Sequence, residues 1–189
     1  MKNLFTLVIL LFGLSACSSR PQQVQLNPQV QLSDVTQHSI IAAIHSQDLR
    51  PNRFLISIHH GDQEQAELIA SGSNLRSSIE QQLSAAWQQQ GLGFVPASPN
   101  TIRVDINELA SRVEQGSVKY SASTTIRIKV TVDTPTKTLD KEFRSIHTNE
   151  GAFKVDVNKQ AEAMNQQLSE LLAEIASDPQ LIEVMEYQP

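Results

Sequence analysis

The longest regular pattern in the chain is an alternation of period two. From Val118 to Val132 every even position is Val, Tyr, Ala, Thr or Ile, and every odd position from Ser117 to Asp133 is Ser, Lys, Thr, Arg or Asp. Side chains on a strand point alternately to its two faces, so this stretch predicts a long antiparallel strand with one buried and one wet face. Thr101 to Leu109 alternates likewise through Ile102, Val104 and Ile106, and Gln115-Gly116 between the two stretches predicts a hairpin. Thr138 to Thr148 is a further strand, with Phe143 and Ile146 on opposite phases. A bulge is expected to reconcile them.

Shorter apolar runs precede these. Ile40 to Ile44 and Arg53 to His59 (Phe54, Ile56 and Ile58 in phase) read as strands separated by the turn Asp48-Leu49-Arg50-Pro51-Asn52. Gly61-Asp62 marks the next turn, and Ala66 to Ala70 a short strand. Val24, Leu26, Val30 and Leu32 share one phase broken by Pro28, which predicts an edge strand or an extended arm, because proline cannot donate to a central ladder.

Two stretches carry helical spacing instead. Leu75, Ile79, Leu83, Ala86 and Trp87 form one stripe, with Ser73 or Asn74 as N-cap and Gly91 at the C-terminal stop. Trp87 lies on that stripe and reads as core. Gly93, Pro96 and Pro99 then form a loop. Ala161, Met164, Leu168, Leu171, Leu172 and Ile175 form the second stripe, and Asp178-Pro179 breaks it and starts a short final helix. The expected architecture is α+β: an antiparallel sheet of about four to six strands, two main helices packed on one face, and a short C-terminal helix.

The N-terminus follows a different logic. Lys2 precedes an apolar run from Leu4 to Leu14, interrupted only by Thr6 and Gly13. The run is too short to span a bilayer, which takes about 20 apolar residues, but has the length of a secretory signal. It ends in Leu14-Ser15-Ala16-Cys17, with small residues before the only cysteine of the chain. A lone cysteine can be a free thiol or an intermolecular disulfide partner. Its place at a cleavage site points instead to lipidation, as an N-palmitoyl, S-diacylglyceryl cysteine, since a thiolate is the nucleophile that such acyl transfer needs. Residues 1–16 are then a cleaved lipoprotein signal peptide, residues 17–23 a lipidated tether, and residues 24–189 a single periplasmic α+β domain. A tether of about six residues reaches at most roughly 20 Å when extended. Ser18, where an Asp would favour the inner membrane, points to sorting to the periplasmic leaflet of the outer membrane.

Charge narrows the partners. The formal net charge is −5, and removal of Lys2 makes it one unit more negative. That balance excludes broad nucleic-acid binding and broad docking on anionic lipid, both of which need clustered Lys and Arg. With a single cysteine, no intrachain disulfide or thiolate metal site is available.

No catalytic constellation stands out. His59 and His60 are adjacent and point to opposite faces of a strand, and His38, His45 and His147 have no partner at helical spacing. No G-x-S-x-G elbow occurs. No metal and no cofactor is expected. Asp48 and Arg50 are candidate ligand contacts, against the reading that they are a turn pair fixing local geometry. Lys119 and Arg127 share the wet face of the long strand with Lys129, Ser121, Ser123 and Thr125, a solvated face or a docking surface for a glycan or envelope protein. Glu150 is a candidate partner contact, with Gly151 expected to supply an unusual backbone conformation at the close of the last strand.

Four short stretches, in this order and spacing, resemble the YajG family of uncharacterised bacterial lipoproteins: Asp48-Leu49-Arg50, Leu75-Arg76, Gln115-Gly116-Ser117-Val118-Lys119-Tyr120 and Glu150-Gly151-Ala152-Phe153. The resemblance covers nearly the whole mature chain. It implies an envelope lipoprotein of a Gram-negative-type cell, and it carries no established activity or catalytic residues. The function expected is a non-enzymatic binding or scaffolding module on the outer membrane, acting on an envelope protein or peptidoglycan. The alternatives are an accessory subunit of an envelope transport system at the inner membrane and a peptidoglycan-acting hydrolase.

Overall fold

The computed structural model describes residues 22–61 and 63–186. The signal segment 1–16, Cys17, tether residues 18–21 and Asp62 of the Gly61-Asp62 turn lie outside the described residues. The elements are β1 (Gln23–Val24), β2 (Ile40–Asp48), β3 (Phe54–His60), β4 (Glu67–Ser71), α1 (Leu75–Gln89), β5 (Leu92–Phe94), β6 (Thr101–Gln115), β7 (Lys119–Asp133), β8 (Thr138–Ala152), α2 (Val157–Ala176) and α3 (Pro179–Glu186).

The three long strands form the antiparallel meander that the alternation predicts. β6 pairs β7 from Thr101↔Asp133 to Gln115↔Tyr120, and β7 pairs β8 from Lys119↔Ala152 to Asp133↔Thr138. The rest of the eight-stranded sheet departs from the expected antiparallel order. β2 runs parallel to β6 along Thr101 to Ile106, and β3 runs parallel to the same strand along Ser111 to Gln115. Since β7 occupies the other edge of β6 throughout, β2 and β3 lie end to end on one edge. The sheet is therefore mixed. Alternation fixes which face a side chain takes but not the direction of the strand, and the turn expected at Asp48-Leu49-Arg50-Pro51-Asn52 is an excursion that leaves the direction unchanged.

Beyond β2 and β3 the sheet divides. β5 pairs β2 in parallel, while β4 pairs β3 antiparallel and carries β1. β5 occupies part of the segment expected to be a loop. Residues 95–100 then cross from one edge of β2 to the other, and Ser98 Oγ (3.0 Å) and Asn100 Nδ2 (3.1 Å) both donate to Ile41 O there.

The helices cover one face. Rows such as Ile44–Ile102–Val132–Leu139 cross the sheet on that face. The predicted stripes of α1 and α2 are buried against it, including Trp87, Leu168 and Leu172. Each such aliphatic or aromatic side chain contributes about 1.5–3 kcal/mol relative to exposure. Asn74 caps α1 by accepting from Ser77 N, and Asp156 caps α2 by accepting from Asn158 N and Lys159 N. Gly91 closes α1 at φ 85°, where a Cβ would stand 2.2 Å from His38 O. Lys141 of β8 bonds Asp178 and, at 2.9 Å, Gln180, which ties the start of α3 to the sheet.

After β1 the N-terminal segment is the extended arm, not a continuous strand. Its amides find side chains of the helices: Asn27 N donates to Asn165 Oδ1 (2.7 Å), Gln29 N to Ser169 Oγ (3.0 Å) and Val30 N to Gln82 Oε1 (3.3 Å). Val24, Leu26 and Pro28 are buried beneath it.

The bulge expected between Phe143 and Ile146 is absent, because β7 and β8 pair without a register shift. Phe143 faces the helices (3% exposed) and Ile146 simply faces solvent (53%). The bulge lies instead in β6, where Ile106 pairs Ile128 and Glu108 pairs Arg127, leaving Asn107 unmatched.

Candidate functional site

The break between β2 and β3 sits against that bulge. The amide of Leu49 still bonds Ile106 O (3.0 Å), and the chain then swings out and returns at Phe54. Arg50 holds the excursion together. Its Nε and Nη2 donate to the two oxygens of Asp48 at 2.9 Å each, its backbone N donates to Asp48 Oδ1 (3.2 Å), and its Nη1 reaches Leu109 O (3.4 Å). Arg53 also bonds Asp48. Burial opposes ionisation of Asp48, but the hydrogen bonds and charge of Arg50, with the charge of Arg53, outweigh it and hold the carboxyl below its ordinary value.

Arg50 is only 8% exposed and Asp48 has both oxygens engaged. The pair is thus first a geometric device, as the turn-pair reading expects. What it shapes is a cleft of about 200 Å³ lined by Arg50, Asn52, Phe54, Asn107, Glu108 and Arg127 among others. Arg127 enters from β7 and pairs with Glu108 (Nη2–Oε2 2.9 Å). Its Nε is buried without a partner among the described residues. Arg144 of β8 stands directly opposite it in the register, an unfavourable arrangement of like charges that Glu108 offsets by one negative charge.

The structure therefore brings Asp48, Arg50 and Arg127 to one place, and it does not bring Lys119 and Glu150 there. Those two pair with each other (3.2 Å) at the β6–β7 hairpin end. Lys129 is likewise engaged, with Asp140 (3.1 Å). Gly151 does not carry the unusual backbone expected of it. A Cβ there would stand 2.5 Å from the Tyr120 ring, so the glycine is required by close packing, and the positive φ (65°) falls on Phe153.

Sequence reasoning missed Asn107 and Glu108, because a bulge is a property of pairing and leaves no mark on one strand alone. It also missed a larger cleft of about 570 Å³ between the arm and α3, where His38 Nδ1 and Glu186 Oε1 lie 2.6 Å apart. Those two groups satisfy each other, and none of the sequence-predicted contacts lies there. Among the described residues no three His, Cys, Asp or Glu side chains gather as a metal site, and no helix is long and apolar enough to cross a membrane. Arg76, which opens α1, reaches back to Ser46 of β2 (2.9 Å) and to Glu80 (3.1 Å), a structural role.

Comparison with known proteins places these features in context. The family described as uncharacterized lipoprotein matches residues 28–186. The uncharacterized lipoprotein YajG of Escherichia coli K12 is 27% identical over 186 residues, covering 96% of this chain and 95% of its own. The crystal structure of a Xanthomonas campestris protein shares the fold, with TM-score 0.61 and 12% identity over 86% of this chain and 97% of its own. A second solved structure, of an uncharacterized protein, has TM-score 0.52 and 13% identity over 83% and 97%.

Proposed function

The chain belongs to the family described as uncharacterized lipoprotein, and from that premise we propose that it is a non-enzymatic envelope binding module, anchored in the periplasmic leaflet of the outer membrane through acylated Cys17. The observation that carries the reading is the uncovered polar face of the sheet, with its cleft at the β2–β3 break. At about 200 Å³ the cleft is smaller than a small-molecule site, which takes about 300–1,000 Å³. It suits one protruding side chain or terminal group of a larger partner. The unpartnered Arg127 Nε and the facing Arg144 select an acidic group, a carboxylate of an envelope protein or of the wall peptide.

Two measurements test this. Photo-crosslinkers at Asn52 and Arg144 in cells are expected to capture one defined partner, and Arg127→Glu abolishes the capture while the protein stays folded. Unchanged capture in that variant overturns the cleft as the contact. Cys17→Ser is expected to release the protein from the membrane fraction, and retention there overturns the anchor. Fractionation with the inner membrane instead of the outer would favour the transport-subunit alternative.

A further inference from the structure

We propose that Val118 and Phe153 form a tip that seats in the phospholipid surface beside the lipid anchor and so fixes how the domain stands on the membrane. They are the two most exposed large apolar side chains among the described residues, at 74% and 75%. They are also neighbours, since Phe153 N donates to Val118 O (2.7 Å). The pair closes the end of the sheet where β6 turns into β7 and β8 ends, and Lys119 and Lys154 flank it.

The backbone at Phe153 adds to the case. A bulky residue at φ 65° is strained, and Gly or Asn would sit there without that cost. The surroundings impose the conformation: Gln115 Nε2 donates to Phe153 O (2.9 Å), and Val155 N donates to Gln115 Oε1 (2.9 Å). A strained residue presenting an aromatic ring to solvent fits a contact outside the domain.

What lies outside is indicated by where the chain enters. β1 runs parallel to β4, β4 antiparallel to β3, and β3 parallel to β6. Residues before Gln23 therefore come from the tip end of the sheet. Gln22 stands level with Ile69, which pairs Ile56, which pairs Ser111. Cys17 lies five residue steps from Gln22, and Gly116 five from Ser111, a reach of at most roughly 17 Å in each case. A fully extended tether is thus long enough for an acyl chain on Cys17 to enter the bilayer at the height of the tip. The tip adds a second, weaker contact to the anchor, enough to set orientation.

This inference rests on acylation of Cys17, so the test reads the two separately. The full-length lipidated protein is placed in phosphatidylethanolamine–phosphatidylglycerol vesicles and labelled with an environment-sensitive fluorophore at Phe153→Cys, Val118→Cys or Thr136→Cys, the last in the turn at the opposite end of β7. Nitroxide-bearing lipids are expected to quench positions 153 and 118 roughly twofold or more over 136, as suits groups at the headgroup–acyl boundary. Equal quenching at all three positions, in protein that floats with the vesicles, overturns the tip alone. Failure to float, or labelling of Cys17 in the parent protein, overturns the anchor and the tip with it. Two independent tip positions keep the test decisive if one variant misfolds.

Discussion

Arg50 grips Asp48 through two parallel bonds of 2.9 Å, and this grip pins the root of the excursion between β2 and β3. The two strands can follow one another along β6 because the excursion between them is pinned at its root. Among the described residues, removing the carboxylate in Asp48→Ala leaves a buried guanidinium with only Leu109 O as partner. Loss of one member of a buried pair costs about 3 kcal/mol, to be read as a lower midpoint in urea unfolding. Arg50→Lys is expected to behave similarly, since an ammonium cannot reproduce the fork.

The same pair predicts the pH response. The folded-state carboxyl of Asp48 lies below its ordinary value of 3.8, so between the two values the unfolded chain binds the proton and the folded one does not. The stabilisation is complete above the unfolded value and fades as pH falls through the folded one. Unfolding midpoints of the parent protein are expected to drop on acidification below about pH 4, and the part due to this group to vanish in Asp48→Asn. An identical acid response in the variant would show that Asp48 plays no part.

Gly151 and Tyr120 test the packing at the hairpin end. Gly151→Ala puts a methyl 2.5 Å from the ring and is expected to lower stability by about 1–3 kcal/mol, as overpacking does. Tyr120→Ser in the same chain removes the obstacle, so the double variant should show no further cost from the alanine. Thermal melts of the four combinations measure the coupling.

Phe153→Asn separates stability from membrane contact. Relief of the left-handed strain is expected to raise stability by about 0.5–1 kcal/mol, since the ring makes little contact with the domain. A lower melting temperature than the parent's would mean that the ring supports the fold.

Much of the fold is legible in the sequence, for identifiable reasons. The β7 alternation and the two apolar stripes are each written in a single continuous segment, so burial of Ile126, Ile128, Leu83 or Leu172 follows from local pattern alone. The candidate site is legible only in part. Asp48 and Arg50 stand out because they are close in sequence. Their meeting with Arg127 depends on β3 resuming along β6, which no local pattern records. Ile146 misled for a related reason: an apolar residue on a wet face looks like a phase error when it is only exposed.

By itself, then, the sequence determined the long strands, the two main helices and which face each buries, and it predicts a lipoprotein-type N-terminus, because these depend on periodicity and short motifs. Only the tertiary structure decided the parallel pairing of β2 and β3, the bulge at Asn107 and the cleft it opens, and the placing of Val118 beside Phe153 at the end where the chain enters. Those follow from which edges meet and at what register, and that is settled by the free energy of the whole packed sheet rather than by any stretch of it.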